Sequence, residues 1–297
     1  MINRILSILI FFILGVPFVG NAEILFEGYY KIDIEGKHIG YSIIREEFDA
    51  KKKEFVSRRF TKTTPEVGDI TMSSTTVCDD GFKPKSLEFF YLDKTKKKII
   101  KGTANGNKFG MTISEGGTPQ KQTIELPKGV FFSSFVTYLI MQKGIGTDKR
   151  FAYDAIAEET GSVLKGETVI EKSMTDHRGQ KVFKTVNKFG GADFIALVNS
   201  VGETLVSDTP AQNEHAELVK TAAEATKGIP IPKAVIDTLF GGMPEGTKNS
   251  LNPDAPQKQT SKAALPAKSE GKKAGQKFEV PPGKGIIIKT QTKELGK

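Results

Sequence analysis

The sequence contains a single cysteine, Cys78, and only three histidines among its 297 residues. With one cysteine, no disulfide can form within the chain, so the fold must be stable without a covalent cross-link. Cys78 shares an alternating strand face with Ile70 and Met72, which favours a buried structural thiol over a catalytic one. The histidines lack the spacing of metal ligands, and we expect no catalytic residue, no metal and no cofactor.

Aromatic residues become scarce after position 210. Of 20 Phe and 6 Tyr residues, only Phe240 and Phe278 lie beyond it. The side chains that build a core therefore stop near this position, and we predict one folded β-rich domain over 23–210.

Beyond this boundary we predict short helices within 211–242, at 214–226 and 232–240, from their composition and apolar spacing. Residues 243–297 are rich in Lys, Pro, Ser and Gly and have few apolar side chains, which predicts a disordered tail. Residues 211–297 carry 14 lysines against 9 acidic residues, so most of the net charge of +8 belongs here.

The N-terminus has the pattern of a secretory signal. Arg4 precedes an apolar run over 5–19, and small residues follow before Glu23. We expect residues 1–22 to be removed, with cleavage after Ala22, which would make the protein periplasmic or secreted. The alternative is an uncleaved anchor, but about 15 apolar residues are fewer than the ~20 that a spanning helix needs.

Strand patterns dominate the domain. Apolar residues alternate along 26–34 and again along 39–43, with a turn at 36–38, which predicts a first β-hairpin. Further alternating runs follow, separated by turn signals such as Asn105-Gly106. About a dozen strands joined by short turns predict a mostly β protein with one large antiparallel sheet that must curl, split or close.

One apolar segment departs from this pattern. Apolar residues at 131, 132, 135, 136, 139 and 140 repeat at helical spacing, which predicts a helix of about three turns from Phe131 to Lys143. Its apolar stripe must be buried, and we expect it to pack in the concave face of the sheet.

Two segments resemble a known family. Residues 36–41 (Gly-Lys-His-Ile-Gly-Tyr) resemble the turn that enters the second strand of the exported bacterial domains catalogued as DUF3108, and 198–206 resemble their closing hairpin. The helix from Phe131 falls where that family has one. Through these features the chain is similar at fold level to the periplasmic lipoprotein carriers. The resemblance implies a curved half-barrel around an apolar groove, in which relatives bind acyl chains or lipoprotein lipids.

Two functions remain open. The first is a non-enzymatic protein that binds a lipid or a lipoprotein acyl chain in the half-barrel. The candidate ligand-binding residues are aromatic and aliphatic: Tyr30, Tyr41, Phe89, Tyr91, Phe131, Phe132, Phe135, Tyr138 and Leu139. The alternative for these nine side chains is a dry core.

The second function is an envelope scaffold or interaction protein. Its basic tail would contact the cell wall, the membrane surface or a protein partner. Nucleic acid is not an expected partner, because basic and aromatic residues are not interleaved.

Overall fold

The structure is a computed structural model that describes residues 22–252, apart from the side chains of residues 141 and 142. The predicted signal peptide, except for Ala22, and the tail from 253 onward lie outside the described residues. Among the helices that the structure describes, none has the length and apolar character that a membrane span requires.

The described residues form fifteen strands, three α-helices and three short 3-10 turns. The strands are β1 (Glu23–Ile34), β2 (Lys37–Asp49), β3 (Glu54–Thr63), β4 (Thr71–Asp79), β5 (Pro84–Leu92), β6 (Lys97–Asn105), β7 (Lys108–Glu115), β8 (Gln120–Glu125), β9 (Phe131–Phe132), β10 (Lys149–Ala157), β11 (Ser162–His177), β12 (Gln180–Phe189), β13 (Ala192–Asn199), β14 (Thr204–Thr209) and β15 (Glu214–Val219). The helices are α1 (Val136–Gln142), α2 (Ala222–Thr226) and α3 (Lys233–Phe240).

All fifteen strands belong to one open, curved sheet, in the order β8-β7-β6-β5-β4-β3-β2-β1-β15-β14-β13-β12-β11-β10-β9. The chain starts in the middle with β1 and moves outward strand by strand to β8. It then crosses to β9 at the other edge and returns inward to β15, which pairs with β1. Every pairing is antiparallel except the short parallel one between β9 and β10. The prediction of a large antiparallel sheet is confirmed.

The sheet curves toward the face that carries Ser57 and Phe89, which we call the inner face. Strands from opposite ends of the sheet order meet there, since the rings of Phe109 in β7, next to the edge strand β8, and of Phe132 in the edge strand β9 lie 5.8 Å apart. The turn after β10 also reaches β7, with the Gly161 backbone against the Met111 side chain. The inner face is therefore the concave one. Cys78 also points into it and is fully buried, as its strand position predicted.

The opposite face, which we call the outer face, is covered by α2 and α3. Tyr41, Ile43 and Phe60 of the central strands pack there against Ile236 and Phe240 of α3. α3 ends at Gly241, whose φ of 75° suits a residue without a side chain. The predicted helix at 232–240 is thus confirmed, and Ile236 and Phe240 on its apolar side are buried.

The predicted helix at 214–226 is wrong over its first half. Residues 214–219 form β15, which fills the space between β1 and β14, and the helix begins only at Ala222 after the Thr221 cap. The Ala/Glu-rich composition favours a helix locally, but two open strand edges supply backbone partners on both sides. Burial of Leu218 and Val219 on opposite faces adds to this preference.

The predicted helix from Phe131 to Lys143 is only partly confirmed. Phe131 and Phe132 form β9, a 3-10 turn covers Ser133–Phe135, and the α-helix starts at Val136. The two phenylalanines pair with Ala155 and Ile156 of β10. They therefore form an edge strand, although their spacing also fits a helix. As expected, the segment packs into the concave face.

The predicted disorder from residue 243 is wrong over 243–252, a segment that we call the strap. The backbone carbonyl of Lys248 accepts a hydrogen bond from the Glu27 backbone N–H, at the part of β1 that β15 does not reach. The Asn249 side chain donates to the Glu27 carbonyl at 2.8 Å. Residues with little apolar content are ordered here because an unpaired strand edge offers them hydrogen bonds.

Candidate ligand-binding site

The inner face carries an apolar cluster that is not fully closed. Fourteen of its side chains are buried, and as many again retain accessible surface. The partly exposed ones are Leu25, Phe48, Met72, Tyr91, Ala104, Ile113, Ile124, Leu126, Val136, Tyr138, Leu139, Tyr153, Val163 and Phe189. A concave apolar surface with this much open area can accept a further apolar group.

Seven of the nine predicted site residues belong to this cluster. Four are buried in its centre (Phe89, Phe131, Phe132 and Phe135), and three keep accessible surface (Tyr91, Tyr138 and Leu139). The structure therefore brings the strand and helix candidates together. Only the last three can offer surface to a ligand without a rearrangement of the core.

The other two candidates lie elsewhere. Tyr30 packs with Phe26 and Leu205 in a neighbouring cluster, and its hydroxyl donates to the Thr204 carbonyl at 2.7 Å. Tyr41 lies on the outer face and is fully buried beneath the helices. The register explains this, because the residue opposite Tyr30 is Ser42, so the adjacent Tyr41 points the other way. Tyr41 is therefore not part of the concave site.

A polar cluster interrupts the apolar inner face. Glu46 of β2 lies directly opposite Ser57 of β3, so both side chains point to the same face. The Ser57 hydroxyl donates to Glu46 Oε1 at 2.9 Å, and Arg59 Nη2 lies 3.5 Å from the same oxygen. Glu46 is buried, while the Arg59 side chain is 39% exposed. A charged pair thus lies within the apolar surface.

The turn between β9 and α1 closes one side of this pair. Arg59 Nη2 donates to the Ser134 carbonyl at 2.8 Å, and the Ser134 backbone N–H donates to the Glu158 carboxylate at 2.9 Å. The hydroxyl of Ser133 also donates to Glu158. The hydroxyls of Thr76 and Ser134 share a hydrogen bond of 3.0 Å. The turn thus supplies hydrogen-bond donors to the Glu158 carboxylate, but it supplies none to the Glu46 carboxylate.

The second oxygen of Glu46, Oε2, is buried and has no hydrogen-bond partner among the described residues. Burial raises the pKa of Glu46 from its ordinary value of 4.5 to about 7, against the opposing effects of Arg59 and Ser57. A buried oxygen without a partner is costly, and such groups often mark sites where a ligand or a proton binds.

Tyr138 joins the polar pair to the apolar cluster. Its ring lies 6.1 Å from that of Phe55 and 6.4 Å from that of Phe82. Burial raises the pKa of the Tyr138 phenol well above its usual value, and the charge of Glu46 raises it further. The Tyr138 side chain is partly exposed, so it lies at the edge of the buried centre of the cluster.

Sequence reasoning missed the polar pair. The run Ile44, Glu46, Phe48 places a carboxylate between two apolar residues on one strand face, which is the signal that could have revealed it. Its partner Arg59 is on another strand and could be found only from the register. In the described part of the chain, no three His, Cys, Asp or Glu side chains lie close enough together to hold a metal ion.

Replacing Glu46 with glutamine should change how stability depends on pH. The pKa of Glu46 is about 7 in the folded chain and 4.5 in its ordinary state, so the folded state binds more protons between these values. The wild type should therefore lose stability as the pH rises from about 4.5 to 7, by an amount on the order of 3 kcal/mol. Glu46→Gln cannot ionise and should lack this loss.

Urea unfolding across this pH range measures the effect. The control is Glu88→Gln, because the Glu88 side chain is 68% exposed and should leave the pH profile as in the wild type. A difference between Glu46→Gln and wild type that stays constant with pH would contradict the argument.

These features define the class of the protein: a large, open, curved antiparallel sheet with a partly open apolar face and a buried polar pair within it. No family model matches the sequence, and no curated protein matches it.

Among solved structures, the chain is similar to a β-barrel-like protein of the domain of unknown function DUF1849 from Brucella abortus. The two share 13% identity with a TM-score of 0.47, over 66% of this chain and 96% of that one. It is also similar to a DUF1089 family protein from Pseudomonas aeruginosa, with 14% identity, a TM-score of 0.34, and coverage of 59% of this chain and 90% of that one. The resemblance to DUF3108 domains and lipoprotein carriers stays a prediction.

Proposed function

We propose that this chain is an exported, non-enzymatic binding protein that holds an apolar ligand, a lipid or an acyl chain, against the concave face of its sheet. The observation that carries the proposal is the set of fourteen partly exposed apolar side chains that pack against the buried centre of that face. On a concave surface, such side chains offer apolar area that a ligand could cover.

The position of the open surface supports the same function. Tyr91, Tyr138 and Leu139 border the buried centre and combine a strand wall with a helix, the usual composition of a small-molecule pocket. The outer face differs, because α2 and α3 cover its apolar residues. The concave face, in contrast, keeps part of its apolar cluster accessible.

Export rests on the N-terminal sequence pattern, which lies outside the described residues. The alternative, a scaffold that acts through the basic tail at 243–297, concerns a segment of which only 243–252 belong to the described residues.

The first test is mass spectrometry of organic extracts from the full chain, purified after periplasmic expression. We expect a lipid in about stoichiometric amount. Binding of N-phenyl-1-naphthylamine, an uncharged apolar probe, measures the same surface without any contribution from charge. A clean extract together with no probe binding would overturn the proposal.

Leu139→Asp places a charge on the open surface and should weaken binding of the probe by about tenfold or more, because the carboxylate would have to be desolvated. Met72→Lys, on β4 of the same cluster, should have the same effect. Both residues are partly exposed, so the melting temperature should change little. The control is Val201→Asp, because Val201 is 67% exposed in the turn after β13. This variant should bind the probe as the wild type does.

A further inference from the structure

We propose that Arg59 and Glu46 form the head-group subsite of the concave site, and that the ligand is a single-chain amphiphile with a carboxylic acid head. The inference rests on the proposed function, since the apolar part of the ligand would lie on the open surface described above. It adds the chemical class of the ligand and the residues that select it.

Arg59 has donor capacity left for a ligand. Its Nη2 donates to the Ser134 carbonyl, and its Nε makes a long contact of 3.4 Å with the Ser57 hydroxyl. Its Nη1 donates to no described residue, and more than a third of the side chain is exposed. The guanidinium is therefore held in place on one side and open on the other. A planar guanidinium of this kind matches a carboxylate, which can accept two parallel hydrogen bonds.

Glu46 supplies the second half of the subsite. Its Oε1 is occupied by Ser57 and Arg59, whereas Oε2 is buried without a partner. A protonated Glu46 can donate its O–H to an incoming carboxylate, which satisfies Oε2 and adds a hydrogen bond to an ionised acceptor. The ligand head would thus be held by one cation and one neutral acid.

The surrounding charges set the pH at which this arrangement works. Glu158, Glu203, Tyr30, Tyr138 and Cys78 are the other described titratable groups around the pair. Glu158 accepts hydrogen bonds from the turn before α1, and its charge contributes to the rise in the pKa of Glu46. An ionised Glu46 would repel a ligand carboxylate, and a protonated Glu46 would bind it. Since the pKa of Glu46 is raised to about 7, binding of an acid should weaken as the pH rises through 7.

The head-group subsite adjoins the apolar surface. Phe48, two residues after Glu46 on the same strand face, belongs to the inner cluster and packs against Phe55, with the ring centres 4.6 Å apart and the rings tilted by 42°. Tyr138, whose pKa the Glu46 charge raises, packs against the same Phe55 ring. A ligand with its carboxylate at Arg59 would therefore reach apolar side chains from its first methylene groups onward.

Calorimetric titration of the full chain with dodecanoic acid and with dodecan-1-ol tests the inference. The two probes share one chain length, and the acid, with an ordinary carboxyl pKa, is ionised above about pH 6. At pH 6 the acid should bind about tenfold or more tightly than the alcohol, as expected for hydrogen bonds between charged groups. This preference should shrink several-fold by pH 8.5.

Three variants separate a role in binding from a role in structure. Arg59→Gln should remove the preference for the acid and leave the affinity for the alcohol unchanged. Glu46→Gln should keep a preference and lose its pH dependence, because the amide can donate a hydrogen bond at any pH. Arg58→Gln is the matched control, since Arg58 is adjacent in sequence, lies on the other face of the sheet and pairs with Glu47 there. This variant should bind both probes as the wild type does.

The outcomes distinguish this inference from the function on which it rests. If both probes bind equally and Arg59→Gln changes neither, the head-group subsite is refuted and the apolar site stands. If neither probe binds, both the proposed function and the inference that rests on it are refuted. Acid binding that is lost in Arg59→Gln together with alcohol binding would indicate a structural role for Arg59 and would also refute the subsite.

Discussion

Replacing Glu27 with alanine should lower the free energy of unfolding by about 3–5 kcal/mol, because it removes a buried carboxylate from its ion pair with the part-buried Arg45, whose other acidic neighbour, Glu47, lies 3.9 Å away. Glu27 is 3% exposed and accepts a hydrogen bond of 2.6 Å from Arg45 Nε. The backbone N–H of Gly246 donates to its other oxygen, also at 2.6 Å. The carboxylate therefore joins two central strands to the strap, and its removal leaves the Arg45 Nε and the Gly246 N–H without their acceptor.

Chemical denaturation of Glu27→Ala against wild type measures this loss. The matched control is Glu88→Ala, which removes an exposed carboxylate on β5 that lies 3.6 Å from Lys101 and should cost less than about 0.5 kcal/mol. Asn249→Ala should fall between the two, at about 1–3 kcal/mol, because its amide donates to the carbonyls of Glu27 and Gly246. An effect of Glu27→Ala as small as that of the control would mean that the strap does not contribute to the fold.

Phe132→Ala should destabilise the chain by about 3–5 kcal/mol through loss of buried surface and the cavity that remains. Phe132 is completely buried on the inner face. Its ring meets that of Phe109 edge to face, 5.8 Å between centres, and this contact joins β9 to β7 across the concave side. The substitution would therefore remove local packing and would also weaken the contact between the two ends of the sheet.

A double-mutant cycle with Phe109→Ala tests that interpretation. Because the two rings touch, the double variant should lose less stability than the sum of the single variants, by about 0.5–1.5 kcal/mol. Val201→Ala, at an exposed turn position, serves as the surface control and should stay within about 0.5 kcal/mol of wild type. Additive losses would indicate that Phe109 and Phe132 contribute independently.

Phe135→Asp illustrates why the structure changes the choice of variants. Phe135 is 1% exposed at the centre of the inner cluster, so a carboxylate there should unfold the chain whether or not a ligand binds. From the sequence, Phe135 and Leu139 are equivalent candidates on one helical stripe. Only the partly exposed Leu139 can separate ligand binding from folding.

The sequence by itself determined the features that depend on neighbouring residues. Alternation along 26–34 and 39–43 predicted the first hairpin because a strand places successive side chains on opposite faces. The position of Cys78 on such a face predicted its burial, and the spacing in 232–240 predicted α3. In each case the signal lies within a short stretch of chain, so the physics that produces it is local.

Tertiary structure decided whatever depends on partners distant in sequence. Residues 214–219 became a strand because β1 and β14 left edges to pair, and Phe131 and Phe132 became β9 because β10 offered one. The strand register placed Tyr41 on the covered outer face. The same register set Glu46 beside Arg59 on the concave one. Hydrogen bonds between strands outweigh the local preference of a segment for a helix. A shift of the strand register by one residue would exchange the side chains on the two faces, so assembly of the sheet decides which residues form the site.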